Sequence, residues 1–147
     1  MATTARPVLI RLAEPSDVPS LLLIQQWTQA IDWSEASFLS AIEKQQVVVA
    51  KAGQALVGFI IVSAVLDEAE LLYIAVSPDY QRQGIAQQLW FYRLPDLRQK
   101  AIRYCFLEVA KGNHPAVNLY RKLGFESIAE RKNYYHNDDA IIMRADL

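Results

Sequence analysis

The chain is short of the residues that most often build covalent staples and metal centres. A single cysteine, Cys105, stands among 147 residues, which excludes an intrachain disulfide and any multi-cysteine metal site. It lies in an apolar run, residues 103–109, and is expected to be a buried, inert thiol rather than a nucleophile. Histidine is scarce too. The chain has 2, and His114 has no partner histidine nearby, so no metal site is expected. Excess charge of either sign is missing. The formal net charge is -1 and there is no arginine-rich run, which argues against nucleic-acid binding by electrostatics. No apolar run approaches the length of a membrane span. The opening residues, MATTARP, lack the basic and long apolar blocks of a signal peptide. A cytoplasmic protein without membrane attachment is the expectation. Repeats, low-complexity tracts and linkers are absent as well, and the length suits one domain with a full core.

What is present is a stretch around which the rest is organised, residues 71–89, LLYIAVSPDYQRQGIAQQL. The apolar residues 71–76 read as a buried strand, broken by Ser77, Pro78 and Asp79. The segment from Gln81 to Ala86 then leads into a helix. Strand, glycine-containing turn and helix start form an arrangement that binds phosphate, because the first amides of a helix lack intrahelical partners and carry partial positive charge. Gly84 can adopt a φ that other residues avoid and lets a ligand approach the backbone. Arg82 adds a cation able to fork onto phosphate oxygens.

The remaining elements follow from pattern. Residues 8–12 predict a first strand. Glu14, Pro15, Ser16 and Asp17 supply helix-start chemistry ahead of an apolar stripe of Leu21, Leu22, Ile24 and Trp27. Ser34 is a predicted N-cap for a second helix through Phe38, Leu39 and Ile42. Residues 46–51 and 55–66 predict two strands about a turn at Gly53, with Gly58 marking a bulge or a close backbone approach. Asp67, Glu68, Ala69 and Glu70 read as an acidic turn. The helix from Gly84 is expected to run toward Lys100, with a kink or early end at Pro95. Residues 103–109 predict a strand. A helix over 113–123 follows, with Asn113 as N-cap and Gly124 in a left-handed position behind it. Strands over 125–129 and 139–144 close the chain, joined by a loop over 131–138. The order β-α-α-β-β-β-α-β-α-β-β is mixed α/β.

Three segments together resemble the GCN5-related N-acetyltransferase (GNAT) superfamily, and within it the RimI-type branch, the ribosomal-protein alanine N-acetyltransferases of bacteria. The first is Gln81-Arg82-Gln83-Gly84-Ile85-Ala86, similar to the superfamily's acetyl-CoA pattern. The second is Leu107-Glu108-Val109 followed by Asn113 and by residues 119–125, LYRKLGF. The third is Asn133-Tyr134-Tyr135 ahead of residues 139–143, DAIIM. Trp33-Ser34-Glu35 and residues 66–69, LDEA, resemble that branch too. The glycine pattern alone is weak; all segments in order and spacing are specific.

The resemblance implies one acetyltransferase domain over residues 1–147. Its GNAT fold would be an α/β (α+β) arrangement with a mixed, mostly antiparallel central sheet flanked by helices, and splayed central strands would form the acetyl-CoA cleft. The cosubstrate would be acetyl-CoA, with no metal. Backbone at Ile74, Ala75 and Val76 would hold the pantetheine arm and the thioester oxygen. Arg82, Gln83, Gly84, Ile85, Ala86 and Gln87 would hold the pyrophosphate, and Asn113 would contact the CoA arm. Glu108 would act as general base and Tyr120 as general acid. The acceptor would be the N-terminal alanine of a small-subunit ribosomal protein. Without the resemblance, Tyr120 reads as a core aromatic, Glu108 as a structural carboxylate and Asn113 as a helix cap alone. An acceptor lysine, a small-molecule amine, or an acyl-CoA-binding module without turnover are the alternatives. Trp33, Glu35, Asp67, Glu68, Tyr134 and Tyr135 are further candidates for the acceptor groove.

Overall fold

A computed structural model describes residues 7–28, 31–135 and 138–147. The strands are β1 (Leu9–Leu12), β2 (Val47–Ala52), β3 (Ala55–Val65), β4 (Glu68–Val76), β5 (Tyr104–Ala110), β6 (Glu126–Tyr135) and β7 (Asp138–Asp146). The helices are α1 (Val18–Thr28), α2 (Glu35–Glu43), α3 (Ile85–Gln99) and α4 (His114–Lys122). The element order is the one read from the sequence. The strands join in one seven-stranded sheet, β1-β2-β3-β4-β5-β7-β6. The pairs β1–β2, β2–β3, β5–β7 and β6–β7 are antiparallel, and β4–β5 is parallel.

The chain divides into two compact units, Met1–Val62 with Leu72–Arg93, and Ser63–Leu71 with Leu94–Leu147. In the first, α1 and α2 contribute Val18, Leu21, Ile24, Phe38, Ala41 and Ile42 to a core shared with Val47, Val49, Phe59 and Ile61 of the sheet. Aromatic rings run through it in sequence. Trp33 meets Phe38 at 5.3 Å, Phe38 meets Phe59 at 5.8 Å, and Phe59 stacks on Tyr73 at 6.0 Å. Ser34 caps α2 by accepting from the Ser37 amide at 3.1 Å, as its sequence position predicts. Ahead of α1, Asp17 accepts from Arg11 at 2.7 and 2.9 Å and from the Glu14 amide at 2.7 Å. The Arg11 hydrogen bond holds the Asp17 carboxyl below its ordinary range, against the opposing pull of burial. Trp27 departs from the expected stripe and is 54% exposed, whereas Leu21 and Ile24 are fully buried. At about 100° per residue, Trp27 falls about 60° beyond Ile24 and opposite Val18, past the edge of the buried stripe. Gln25 is the buried polar residue on the inner side. Its side chain donates to the Trp33 carbonyl at 2.7 Å and accepts from the Trp33 amide at 2.9 Å, fixing the segment between the helices.

In the second unit β5 alternates cleanly. Cys105, Leu107 and Val109 are buried, while Glu108 between them is exposed. On the same face β7 adds their partners Ile141, Met143 and Ala145, and Val117 of α4 with Leu123 and Phe125 of the following turn are buried too. Cys105 is fully buried and burial pushes its thiol up to about 12, so it is the inert thiol expected. Gly124 adopts φ 103 behind α4. β6 is the outer strand, exposed along its whole length and rich in Glu, Arg and Lys, a composition that discourages pairing with another chain.

Two expectations are corrected, and of the two outcomes expected at Pro95 the early end does not occur. Glu68, Ala69 and Glu70 belong to β4 rather than to a turn; their exposed–buried–exposed order is the period-2 signature of a strand. The segment 131–135 extends β6 instead of forming a loop; the remaining loop residues His136 and Asn137 lie outside the described residues. Pro95 does not end α3, which continues to Gln99. Pro95 lies on the exposed side, where water can meet the carbonyl it leaves unbonded, while Leu94 and Leu97 stay buried. Behind α3, Ala101 takes a left-handed backbone, φ 62. Its amide bonds to Arg98 O at 3.0 Å, and the Ile102 amide bonds to Leu97 O at 3.0 Å, which closes the helix in a Schellman pattern.

Candidate functional site

The turn between β4 and α3 is built from local hydrogen bonds. The buried Ser77 donates its amide to Val57 O at 2.7 Å, anchoring the end of β4. Gly58 permits a close approach at this point, since a Cβ there would sit 3.1 Å from Ala75 O. The register of β2 and β3 also skips Val57, between Ala50↔Gly58 and Lys51↔Leu56, so the residue before Gly58 is a bulge. A short 3-10 turn, Pro78–Tyr80, follows. The Gln81 side chain then reaches back to Val76 O at 2.9 Å, and Gln83 reaches Asp79 O at 3.4 Å. Arg82 and Gly84 both take left-handed backbone, with φ 62 and φ 82. Gly84 thus does what its sequence position predicts, and Arg82 accepts a conformation that costs an L-residue about 1–2 kcal/mol.

This geometry aims a helix start outward. The bond from the Gln88 amide to Gly84 O, 3.0 Å, opens the ladder of α3, and the amides of Ile85, Ala86 and Gln87 precede it. Arg82 and Gly84 are exposed beside them, and Ile85 turns its side chain into the core. The Gln83 Oε1 is buried without a hydrogen-bond partner among the described residues. Amides, dipole and a guanidinium at one turn suit an anion of the pyrophosphate kind. Ile74 and Val76 are partly buried and Ala75 is buried at the end of β4. The parallel ladder of β4 with β5 covers Glu68↔Tyr104, Ala69↔Cys105 and Glu70↔Phe106, so Ile74, Ala75 and Val76 take no part in it.

The second unit carries the residues able to move protons. Glu108 projects from the exposed side of β5 and meets Arg131 of β6, Oε1 to Nη1, at 3.3 Å. The contact bridges β7. Glu108 pairs with Ile142, and Arg131 pairs with the small Ala140 two positions along, so both side chains leave the same face of the sheet. Tyr120 projects from α4 and is partly buried, its ring 6.2 Å from Phe125. Burial is the main cause that pushes its phenol up to about 12, with Tyr135 adding to it. Tyr135 is itself raised, first by burial and then by the charge of Glu108 and by Tyr134. Tyr135 is thus the residue whose phenol is felt by Tyr120 and feels the charge of Glu108.

Asn113 caps α4, its side-chain oxygen accepting from the Ala116 amide at 3.3 Å. The loop ahead of it is tied to the start of β7. The Gly112 amide donates to Asp138 Oδ2 at 2.6 Å, and the Asn133 amide donates to Asp139 Oδ1 at 2.7 Å. No group of three metal-ligating side chains occurs among the described residues, and none of their helices is long and apolar enough to cross a membrane.

Sequence reasoning held Tyr135 only as a groove candidate and passed over Arg131. The apolar–polar alternation that exposes strand pairing is absent from residues 126–135, so nothing in that run announces which residue faces Glu108.

Known proteins resemble this chain over nearly its full length. The acetyltransferase (GNAT) family pattern matches residues 12–125. The [ribosomal protein bS18]-alanine N-acetyltransferase of Escherichia coli K12 is 38% identical over 136 residues, covering 88% of this chain and 91% of that protein. Its counterpart in Haemophilus ducreyi is 31% identical, covering 92% and 97%. The crystal structure of the ribosomal-protein-S18-alanine N-acetyltransferase from Escherichia coli superposes with a TM-score of 0.84 at 35% identity, covering 95% of this chain and 94% of that one. Ard1 from Thermoplasma volcanium superposes with a TM-score of 0.87 at 28% identity, covering 95% and 97%.

Proposed function

The chain belongs to the acetyltransferase (GNAT) family, and from that premise we propose that it moves the acetyl group of acetyl-CoA to the N-terminal α-amine of an alanine-starting small-subunit ribosomal protein in the cytoplasm. Residues 1–147 act in this reading as one acetyltransferase domain. The observation that carries the choice of acceptor is the 38% identity to the bS18-alanine enzyme over 91% of its length.

In this reading acetyl-CoA is a substrate held by its pyrophosphate. Arg82, Gln83 and Gly84 and the amides of Ile85, Ala86 and Gln87 receive the phosphates, with backbone at Ile74, Ala75 and Val76 and the side of Asn113 along the pantetheine arm. The open amides at the start of α3 support this assignment.

Transfer is direct. Glu108 takes a proton from the incoming ammonium, and the amine attacks the thioester carbonyl. The tetrahedral adduct collapses with cleavage of the C–S bond. An α-amine ionises near 7.7–8.0 and a lysine near 10.4, so a carboxylate is the better matched to an α-amine. Tyr120 is neutral at physiological pH, since its phenol stands at about 12. It donates a hydrogen bond to the departing sulfur and limits charge build-up there. CoA departs as its thiolate, and the second proton on nitrogen passes to water as the amide forms.

Steady-state release of CoA thiol tests the proposal. An alanine-starting bS18 peptide is expected to support turnover, and the same peptide with its α-amine blocked is expected not to. Equal rates with both would remove the α-amine as acceptor.

A further inference from the structure

We propose that Arg131 is a positioning residue for acceptor deprotonation, holding the Glu108 carboxylate in the orientation in which it meets the incoming ammonium. The inference rests on the assignment of Glu108 as base. It starts from the energetic modesty of the pair. The side chains of Arg131 and Glu108 are 54% and 31% exposed, and ion pairs this open contribute about 0–1 kcal/mol to stability. Stability therefore gives no reason for a long side chain on an edge strand to reach across a neighbouring strand.

The reach is nonetheless prepared. Ala140 is the residue of β7 beside Arg131, and its small side chain leaves the path open. Tyr134 packs its ring 5.4 Å from the Arg131 guanidinium carbon and restricts the arginine before any substrate arrives. The guanidinium makes one contact, Nη1 to Oε1 at 3.3 Å, and its fixed charge favours the carboxylate orientation that keeps that oxygen beside it. Among the described residues, Arg131 acts on Glu108 by contact and Tyr135 through its phenol. A base displaced by an ångström can lose on the order of 100-fold in rate, which gives Arg131 a kinetic effect out of proportion to its stability effect.

The test is a cycle of Glu108→Gln, Arg131→Gln and the double variant, with Arg131→Lys alongside, assayed on the alanine-starting peptide. Arg131→Gln is expected to lower kcat about 5- to 50-fold, the lower part of the range that misplacement of a catalytic group allows. The KM for acetyl-CoA stays within about twofold, because the pyrophosphate turn is untouched. Arg131→Lys recovers part of the loss. In the Glu108→Gln background the Arg131→Gln change costs nothing further, since a residue acting through another has no effect once that other is gone. An equal loss in both backgrounds would make Arg131 structural and overturn the proposal, as would an unchanged kcat in Arg131→Gln when Glu108→Gln is impaired. An unimpaired Glu108→Gln would instead reject Glu108 as base, and the Arg131 proposal with it. Thermal melts of each variant separate these outcomes from misfolding.

Discussion

Replacing Tyr120 by phenylalanine removes one oxygen and leaves the ring against Phe125 in place. The phenol stands at about 12, raised chiefly by burial, whereas a thiol ionises near 8.5. Burial leaves the phenol the weaker acid of the two, which disfavours complete proton transfer to the departing thiolate. Tyr120 is therefore expected to act as a neutral donor to a developing anion, and a hydrogen bond to a charged partner contributes about 1.5–3 kcal/mol. Tyr120→Phe should lower kcat by about 10- to 150-fold, measured at saturating acetyl-CoA, with little change in KM for that substrate. The sign of the pH effect follows from the raised phenol. The functional, protonated form persists below about 12, so Tyr120 imposes no loss of rate between pH 8 and 10. A kcat within twofold of the parent would refute the donor role. So would an alkaline loss below pH 10 that disappears in Tyr120→Phe.

Other residues give independent checks. Arg82→Ala should raise the KM for acetyl-CoA about tenfold, the loss of roughly 1.4 kcal/mol of phosphate contact, and leave kcat nearly unchanged in the same assay. Ala101→Gly frees a left-handed position, φ 62. It should stabilise the fold by about 0.5–1 kcal/mol, the relief of strain less the glycine's extra unfolded entropy, seen as a higher midpoint in urea. Gly112→Ala would put a Cβ 2.7 Å from Asp138 Oδ2 and weaken the bond that oxygen accepts; a loss of about 1 kcal/mol by the same denaturation is expected. Cys105 has its thiol raised from 9.0 to about 12 by burial. Its contribution to stability is whole below pH 9 and is lost as pH rises toward 12, so Cys105→Ala should flatten the alkaline decline measured by thermal melts.

The order of elements was legible because its signals are local. Ser34, Asn113 and Gly124 are cap residues whose side chain or backbone freedom decides where a helix begins or ends, and all three act as their positions imply. The departures arise where a local signal competes with packing. Acidic Glu68 and Glu70 resemble a turn until the burial of Ala69 and Leu71 shows a strand with one wet face. Pro95 is a helix breaker by its own chemistry, yet buried Leu94 and Leu97 hold α3 through it. The site divides in the same way. The pyrophosphate turn was readable because Gly84 and Arg82 act through backbone conformation within a few residues. Arg131 was not, because it lies more than 20 positions beyond Glu108 and its place there depends on the register of three strands, and on an alanine between them.

The most direct measurement is mass spectrometry of small-subunit protein bS18, bearing its free N-terminal alanine, after incubation with this enzyme and acetyl-CoA. One acetyl group on the α-amine, formed at a rate that collapses in Glu108→Gln, is the result the account predicts. An unmodified N-terminus, or acetyl groups found only on lysine side chains, would contradict it.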